Sequence, residues 1–314
     1  MAEAERPTLG RLGEIEVLAR IFPRLPESDA ALLGPGDDAA VLAARDGRYV
    51  VTTDMLVHGP DFRWEFSSPE DLGWKAAATN LSDVAAMGAR PTALVVALAA
   101  PAATPVDVLE GFCDGLRLAC AELAPGCGVV GGDLSTSDVF TIAVTAFGDL
   151  EGRAPVRRSG ARPGDVVAVA GQLGVAARGL RLLFELGRQE ALRWDAPAVE
   201  RQLRPMPPIA LGPAAADAGA TAMMDVSDGL ALDARRLAQA SVVDLKLEGL
   251  GDDELRGGED HSLLATFPPD AALPDGFRRI GSVVAGTGRV LAGGAEFGEL
   301  GGWDPYEQWD GKLS

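Results

Sequence analysis

The sequence predicts an α/β protein with mixed sheets, built as two units, and three observations carry that reading. Short runs rich in β-branched residues alternate with longer helix-like runs, and turn residues separate them. The chain has 314 residues, the length of two ordinary domains with cores of their own. Residues 151–165 are rich in Gly, Pro and Arg and lack any period, which marks a boundary between a 1–150 unit and a 151–314 unit.

In chain order, Gly34-Pro35-Gly36-Asp37-Asp38 reads as a loop, and residues 49–53 read as a strand that delivers Asp54 at its end. Ser68 then opens a helix as N-cap, with Pro69 at the first position and Asp71 three residues on. That helix is expected to reach about Met87, with Gly88 as its stop. Thr104-Pro105-Val106-Asp107 repeats the opening device for a helix that reaches about Leu123. Residues 139–147 read as a buried strand. The second unit begins with a strand at 166–170, followed by helices at 175–186, 208–218 and 229–240 and by strands near Ala222, Val242, Leu264 and Ile280.

Composition excludes several kinds of chemistry. Lys and Arg number 28 against 46 Asp and Glu, so the net charge is 28 − 46 = −18, and only Lys75, Lys246 and Lys312 are lysines. A surface of that sign repels nucleic-acid backbones, so no nucleic-acid partner is expected. The longest apolar run, residues 93–103, is too short to cross a bilayer and contains Pro101, so no membrane span is expected. The N-terminus is acidic where a signal peptide is basic, which suggests a cytoplasmic protein. Cys113, Cys120 and Cys127 have neither a disulfide-framework count nor zinc-site spacing. Two histidines, His58 and His261, cannot build a His-rich metal site.

Carboxylates carry the chemistry that remains. Acidic clusters stand at Gly36-Asp37-Asp38, Thr52-Thr53-Asp54, Asn80-Leu81-Ser82-Asp83, Gly131-Gly132-Asp133 and Asp225-Val226-Ser227-Asp228-Gly229. Each has a bland reading: Gly-Asp-Asp is commonly a turn, and Ser227 is well placed as the N-cap of the following helix. Asp83 is different, because it lies near a helix C-terminus, where the macrodipole disfavours an anion and invites a cation. Oxygen donors beside Gly and hydroxyl residues are what Mg²⁺ takes. Several Mg²⁺ ions among them would make a phosphoryl-transfer site, since metals bridge phosphates and neutralise developing charge. No GxxxxGK[ST] and no protein-kinase motif set is present.

These segments, together with Gly36-Asp37-Asp38-Ala39-Ala40, Asn80 through Ala89, Arg158-Ser159-Gly160, Ser227-Asp228-Gly229-Leu230 and Gly258-Glu259-Asp260, resemble the thiamine-monophosphate kinases in order and spacing over nearly the whole chain. That family lies in the aminoimidazole-ribonucleotide-synthetase-like ATP-binding superfamily. The resemblance implies a two-domain fold that dimerises through the N-terminal sheets. It also implies ATP-dependent phosphorylation of thiamine monophosphate to thiamine diphosphate by direct transfer. Carried over, Asp38, Thr52, Thr53, Asp54, Asp83, Asp133, Asp225 and Asp228 would surround Mg²⁺, and Gly132, Asp133, Arg158 and Ser227 would hold ATP. Asp54, Asp228 and Arg158 would carry catalysis, and Glu259 and Trp309 would meet the thiamine moiety. No general base is needed, because the attacking phosphate is already an anion.

Two positions depart from the family pattern. Asp61 stands where the family usually has His on the substrate side, and His261 stands where it usually has Tyr; the latter reads as a surface change. Relatives in the superfamily fit less well. The chain lacks the N-terminal Cys and Lys pair of selenophosphate synthetases, the Asp-Gly-Val-Gly-Thr-Lys stretch of aminoimidazole ribonucleotide synthetase, and the C-terminal Cys of the hydrogenase-maturation relative. The alternative of another class is a nucleotide-binding dimer without turnover, against which the complete carboxylate set argues.

Overall fold

The structure is a computed structural model that describes residues 6–34, 40–298 and 301–302. It is a mixed α/β protein with two principal sheets. A four-stranded sheet is ordered Val50–Val57, Thr141–Asp149, Arg90–Ala100, Gly128–Thr136, antiparallel except for the last pair. A seven-stranded sheet is ordered Ala295–Glu296, Val290–Ala292, Val243–Leu247, Phe277–Ala285, Val166–Ala170, Ser262–Phe267, Ala222–Val226. Its one parallel pair is Val290–Ala292 with Val243–Leu247. Residues 150–165, between the strands of one sheet and those of the other, hold no helix or strand.

Helices Pro69–Ala86 and Val106–Leu123 cover one face of the four-stranded sheet and share its core with Leu81, Leu94, Leu116, Ile142 and Val144. The two helices touch backbone to backbone at Gly73 and Gly115, where an added Cβ would stand 2.0 Å from the Phe112 carbonyl oxygen and 2.1 Å from that of Glu70. Ser68 and Asp71 form the expected capping box, each accepting the other's backbone N–H. Asp71 does a second job, because Arg188 and Arg204 from beyond residue 165 both bond its carboxylate. Trp74 Nε1 likewise donates to the Pro205 carbonyl at 2.7 Å. The Pro69–Ala86 helix is therefore buried on nearly all sides, between its own sheet and the C-terminal unit.

Several elements differ from expectation. Thr104 does not cap the next helix; Pro105 holds the N-cap position with no side-chain bond, and Asp107 pairs with Arg6 instead. The first long strand runs on to Val57, because Met55, Leu56 and Val57 continue the ladder against Ala143, Ile142 and Thr141. Asp54 therefore stands within an edge strand rather than after one. The Val175 helix continues to Leu203 with breaks at Gly187 and Asp195. Helix Leu230–Ser241 is capped by Gly229, not by Ser227. No helix among the described residues is long and apolar enough to cross a membrane.

Candidate active site

The site forms where the Pro69–Ala86 helix meets the second unit. Residues 75, 79, 82 and 83 recur at helical spacing, which turns them toward one side. From that side Lys75 Nζ reaches Glu259 Oε2 at 2.9 Å and Ser82 Oγ reaches the His261 carbonyl at 3.3 Å. Asp83 accepts from Thr52 Oγ1 at 2.9 Å. Asn80 turns back into the helix and donates to the Ala76 carbonyl.

Asp54, Asp83, Asp225 and Asp228 are close enough to feel one another's charge. Burial, then the charge of Asp225 and of Asp54, pushes the Asp83 carboxyl up to about 6 despite the Thr52 bond. Asp54 is raised by desolvation, with Asp225 and Asp228 adding to it against a Met55 N–H bond and the charge of His261. A histidine packs against them. His261 is buried, and its Nδ1 is 3.1 Å from Asp225 Oδ2. Burial disfavours its charged form, but that hydrogen bond and the charges of Asp225 and Glu259 outweigh burial and raise its pKa. The expectation that this position is a surface change is therefore wrong, because the ring sits under the carboxylates.

The loop 227–229 is tied down by a residue that the sequence motifs did not single out. Asp233, in the first turns of helix Leu230–Ser241, accepts the N–H groups of Ser227 and Asp228 at 3.1 and 3.0 Å. Arg236 Nη1 bridges Asp233 Oδ1 at 2.6 Å and Asp228 Oδ2 at 2.5 Å. Burial, with Asp228 next, raises the Asp233 carboxyl to about 6. An acid one turn inside a helix that follows a Ser-Asp-Gly loop is the sequence signal that could have found it. Glu259 and His261 both hold left-handed backbone, φ 65° and 50°, and their N–H groups bond the carbonyls of Ser227 and Val226. Strain of this kind in side chains other than glycine collects at functional sites.

Other expected residues lie elsewhere in the chain. Side chains alternate along a strand, so Thr52 and Asp54 face the helix layer while Thr53 points to the outer face, bonded by Thr145 Oγ1. Asp133 shares that outer face with Met55, Ala143 and Ala97 in one cross-strand row. It stands three strands from Asp54, about 14 Å at the usual strand spacing. Gly132 presses against the Val96 carbonyl, where a Cβ would come within 2.1 Å. The Arg158 carbonyl is bonded by Ser241 Oγ at the C-terminal end of helix Leu230–Ser241. That is about 18 Å of helix from the Asp228 loop. Asp61 accepts from the Val57 N–H at 2.7 Å, and burial, then the charges of Glu259 and Asp54, raise its pKa. Asp38 and Trp309 lie outside the described residues.

The donor set suits a hard cation. It is made of carboxylate and hydroxyl oxygens, and burial with neighbouring carboxylate charge raises Asp54 and Asp83, which a cation would relieve. No three Asp, Glu, His or Cys side chains among the described residues converge on a single metal position. Mg²⁺ commonly takes one or two carboxylates and completes its shell with water and phosphate, and this set could serve that pattern.

Known proteins give the same picture. Residues 36–150 match the family of AIR synthase related protein, N-terminal domain. The thiamine-monophosphate kinase of Mycobacterium tuberculosis is 43% identical over 330 residues, covering 99% of this chain and 96% of that protein. That of Corynebacterium glutamicum is 40% identical over 299 residues, covering 88% of each. A solved structure of AaThiL complexed with AMPPCP and TMP is 33% identical with a TM-score of 0.73, covering 94% of this chain and 96% of that one. Identity at this level across essentially the full length, on the same mixed-sheet fold, makes this chain a member of the thiamine-monophosphate kinase family.

Proposed function

We propose that the protein transfers the γ-phosphate of ATP to thiamine monophosphate, forming thiamine diphosphate. The observation that carries the proposal is the carboxylate group Asp54, Asp83, Asp225 and Asp228, drawn from both sides of the junction, in which burial and then neighbouring carboxylate charge raise the pKa of Asp54 and Asp83. Mg²⁺ held by these residues, with Thr52 and Asp38 beside them, would neutralise phosphate charge that an acidic protein otherwise repels. The chain's own residues keep the site in place. Asp233 and Arg236 hold the Ser227–Asp228 loop, and His261 fixes Asp225. Lys75 anchors Glu259 at the substrate side, where Asp61 also lies. In this reading residues 1–150 and 151–314 each supply half of the site, Ser227 and Arg158 contact the nucleotide, and Trp309 stacks on the thiamine rings. In this reading the reaction is cytoplasmic.

The reading includes a homodimer. Among the described residues no layer covers the outer face of the four-stranded sheet, and there Val51 is 56% exposed and Met55 55%. A second copy packed on this face would cover both, and would bring Asp133 and Thr53 toward a neighbouring site rather than leave them on bare surface.

The test is product formation. Purified protein with ATP, Mg²⁺ and thiamine monophosphate should release ADP and yield thiamine diphosphate, and unphosphorylated thiamine should yield nothing. ADP release that ignores thiamine monophosphate would overturn the substrate.

A further inference from the structure

Gln202 is a buried polar residue that phosphoryl transfer leaves without a role. It sits at the end of the Val175–Leu203 helix and is 4% exposed. Its Nε2 donates to Glu259 Oε2, the same oxygen that accepts from Lys75 Nζ. Its Oε1 has no hydrogen-bond partner. A buried acceptor without a donor is costly, and such atoms are rare enough in folded proteins that each needs an explanation.

Glu259 explains this one. Two donors crowd onto Oε2, and among the described residues none reaches Oε1. The Glu259 side chain keeps 39% of its surface exposed, so the group is open on the side away from Lys75. The amide oxygen of Gln202 is one carbon away from the nitrogen that holds Glu259, which puts it at the margin of the same carboxylate. Gln202 Oε1 is closed to solvent as well as unpartnered, so a donor would reach it through the open side of Glu259. The aminopyrimidine of thiamine monophosphate carries an exocyclic amino group with two N–H bonds.

We propose that Gln202 is a specificity residue that, with Glu259, receives the amino group of the substrate's pyrimidine. The proposal rests on the reading of Glu259 as the residue that meets the thiamine moiety. An analogue with an oxo group in place of the amino group would set a third acceptor against these two and be rejected, because polar sites reject ligands that leave their groups unpaired. Lys75 fixes Glu259 independently of Gln202, so the carboxylate keeps its place when the amide is removed.

The experiment compares thiamine monophosphate with oxythiamine monophosphate in the wild type and in Gln202→Met, which keeps length and volume but loses the amide. The variant should raise KM for thiamine monophosphate about 10-fold, the effect of one hydrogen bond, with kcat within about twofold. Preference for the amino over the oxo substrate should fall by the same factor, and the KM for ATP should not move. Equal losses on both substrates would mean that Gln202 only packs, and unchanged discrimination would also overturn the inference; either leaves the kinase reading standing. Wild-type protein that makes no product from thiamine monophosphate would overturn both. If Gln202→Met does not unfold cooperatively, Gln202→Ala gives the same comparison.

Discussion

Asp225 is one of the proposed Mg²⁺ ligands, and His261 holds its carboxylate, so under the proposed function His261 is a positioning residue rather than a spectator. The ring nitrogen at 3.1 Å holds one carboxylate oxygen and leaves the other for a ligand. Removing such an outer partner typically costs 10- to 100-fold in metal affinity or activity. His261→Leu is therefore expected to lower kcat/KM by about 10- to 100-fold and to raise the Mg²⁺ concentration needed for half-maximal rate. His261→Gln, which retains a donor, should recover part of the loss. Steady-state kinetics across a Mg²⁺ titration checks both, and a Leu variant with an unaltered Mg²⁺ requirement would assign the ring to packing alone. The sequence already showed Asp225 and Asp228 as carboxylates beside a Gly-containing turn. It did not show His261 under them, because the contact depends on strand Ser262–Phe267 pairing with Ala222–Val226.

Elements are held by buried acids that do no chemistry, and Asp244 is the clearest of them. From strand Val243–Leu247 it accepts the N–H groups of Thr287, Gly288 and Arg289 and the side chain of Arg289. Burial alone would raise its pKa, but the Arg289 guanidinium and the backbone donors outweigh burial and hold it at about 2. A depressed folded-state pKa gives stability that is present above the unfolded value near 4 and lost as pH falls toward 2. Asp244→Asn is expected to be less stable than wild type by about 2 kcal/mol at neutral pH. The gap should close between about pH 4 and pH 2, as denaturant titration at several pH values would record. A constant gap across that range would contradict the assignment. Local signals at this scale were readable where chemistry is local: Ser68, Pro69 and Asp71 announced their capping box four residues at a time. The sidedness of Thr52, Thr53 and Asp54 was not, since which face is inner follows from pairing with Thr141–Asp149, 90 residues downstream.

For the whole molecule, the two sheets meet at one helix, and the site forms from what that helix brings together. Most of the acids proposed to bind metal were visible as motifs, whereas their grouping was not, because it depends on how strands from beyond residue 165 pack on Pro69–Ala86. Asp133 lies away from the other acids in a single chain, on the sheet face that the proposed second copy would cover. Met55→Glu places a charge in the middle of that face without touching the helix side of the strand. It should convert a dimer to a monomer by sedimentation velocity and lower activity at low protein concentration. A monomeric wild type, or a variant that stays dimeric, would assign the face to another role.

If the carboxylates at the junction hold the transferring phosphate through Mg²⁺, Asp54→Asn removes the transfer. In a single turnover with γ-labelled ATP, Mg²⁺ and thiamine monophosphate, the wild type should move the label into thiamine diphosphate. Asp54→Asn should fold and show no transfer above background, and Asp228→Asn should behave alike. Label transferred at the wild-type rate by either variant would contradict the account and place the reaction elsewhere.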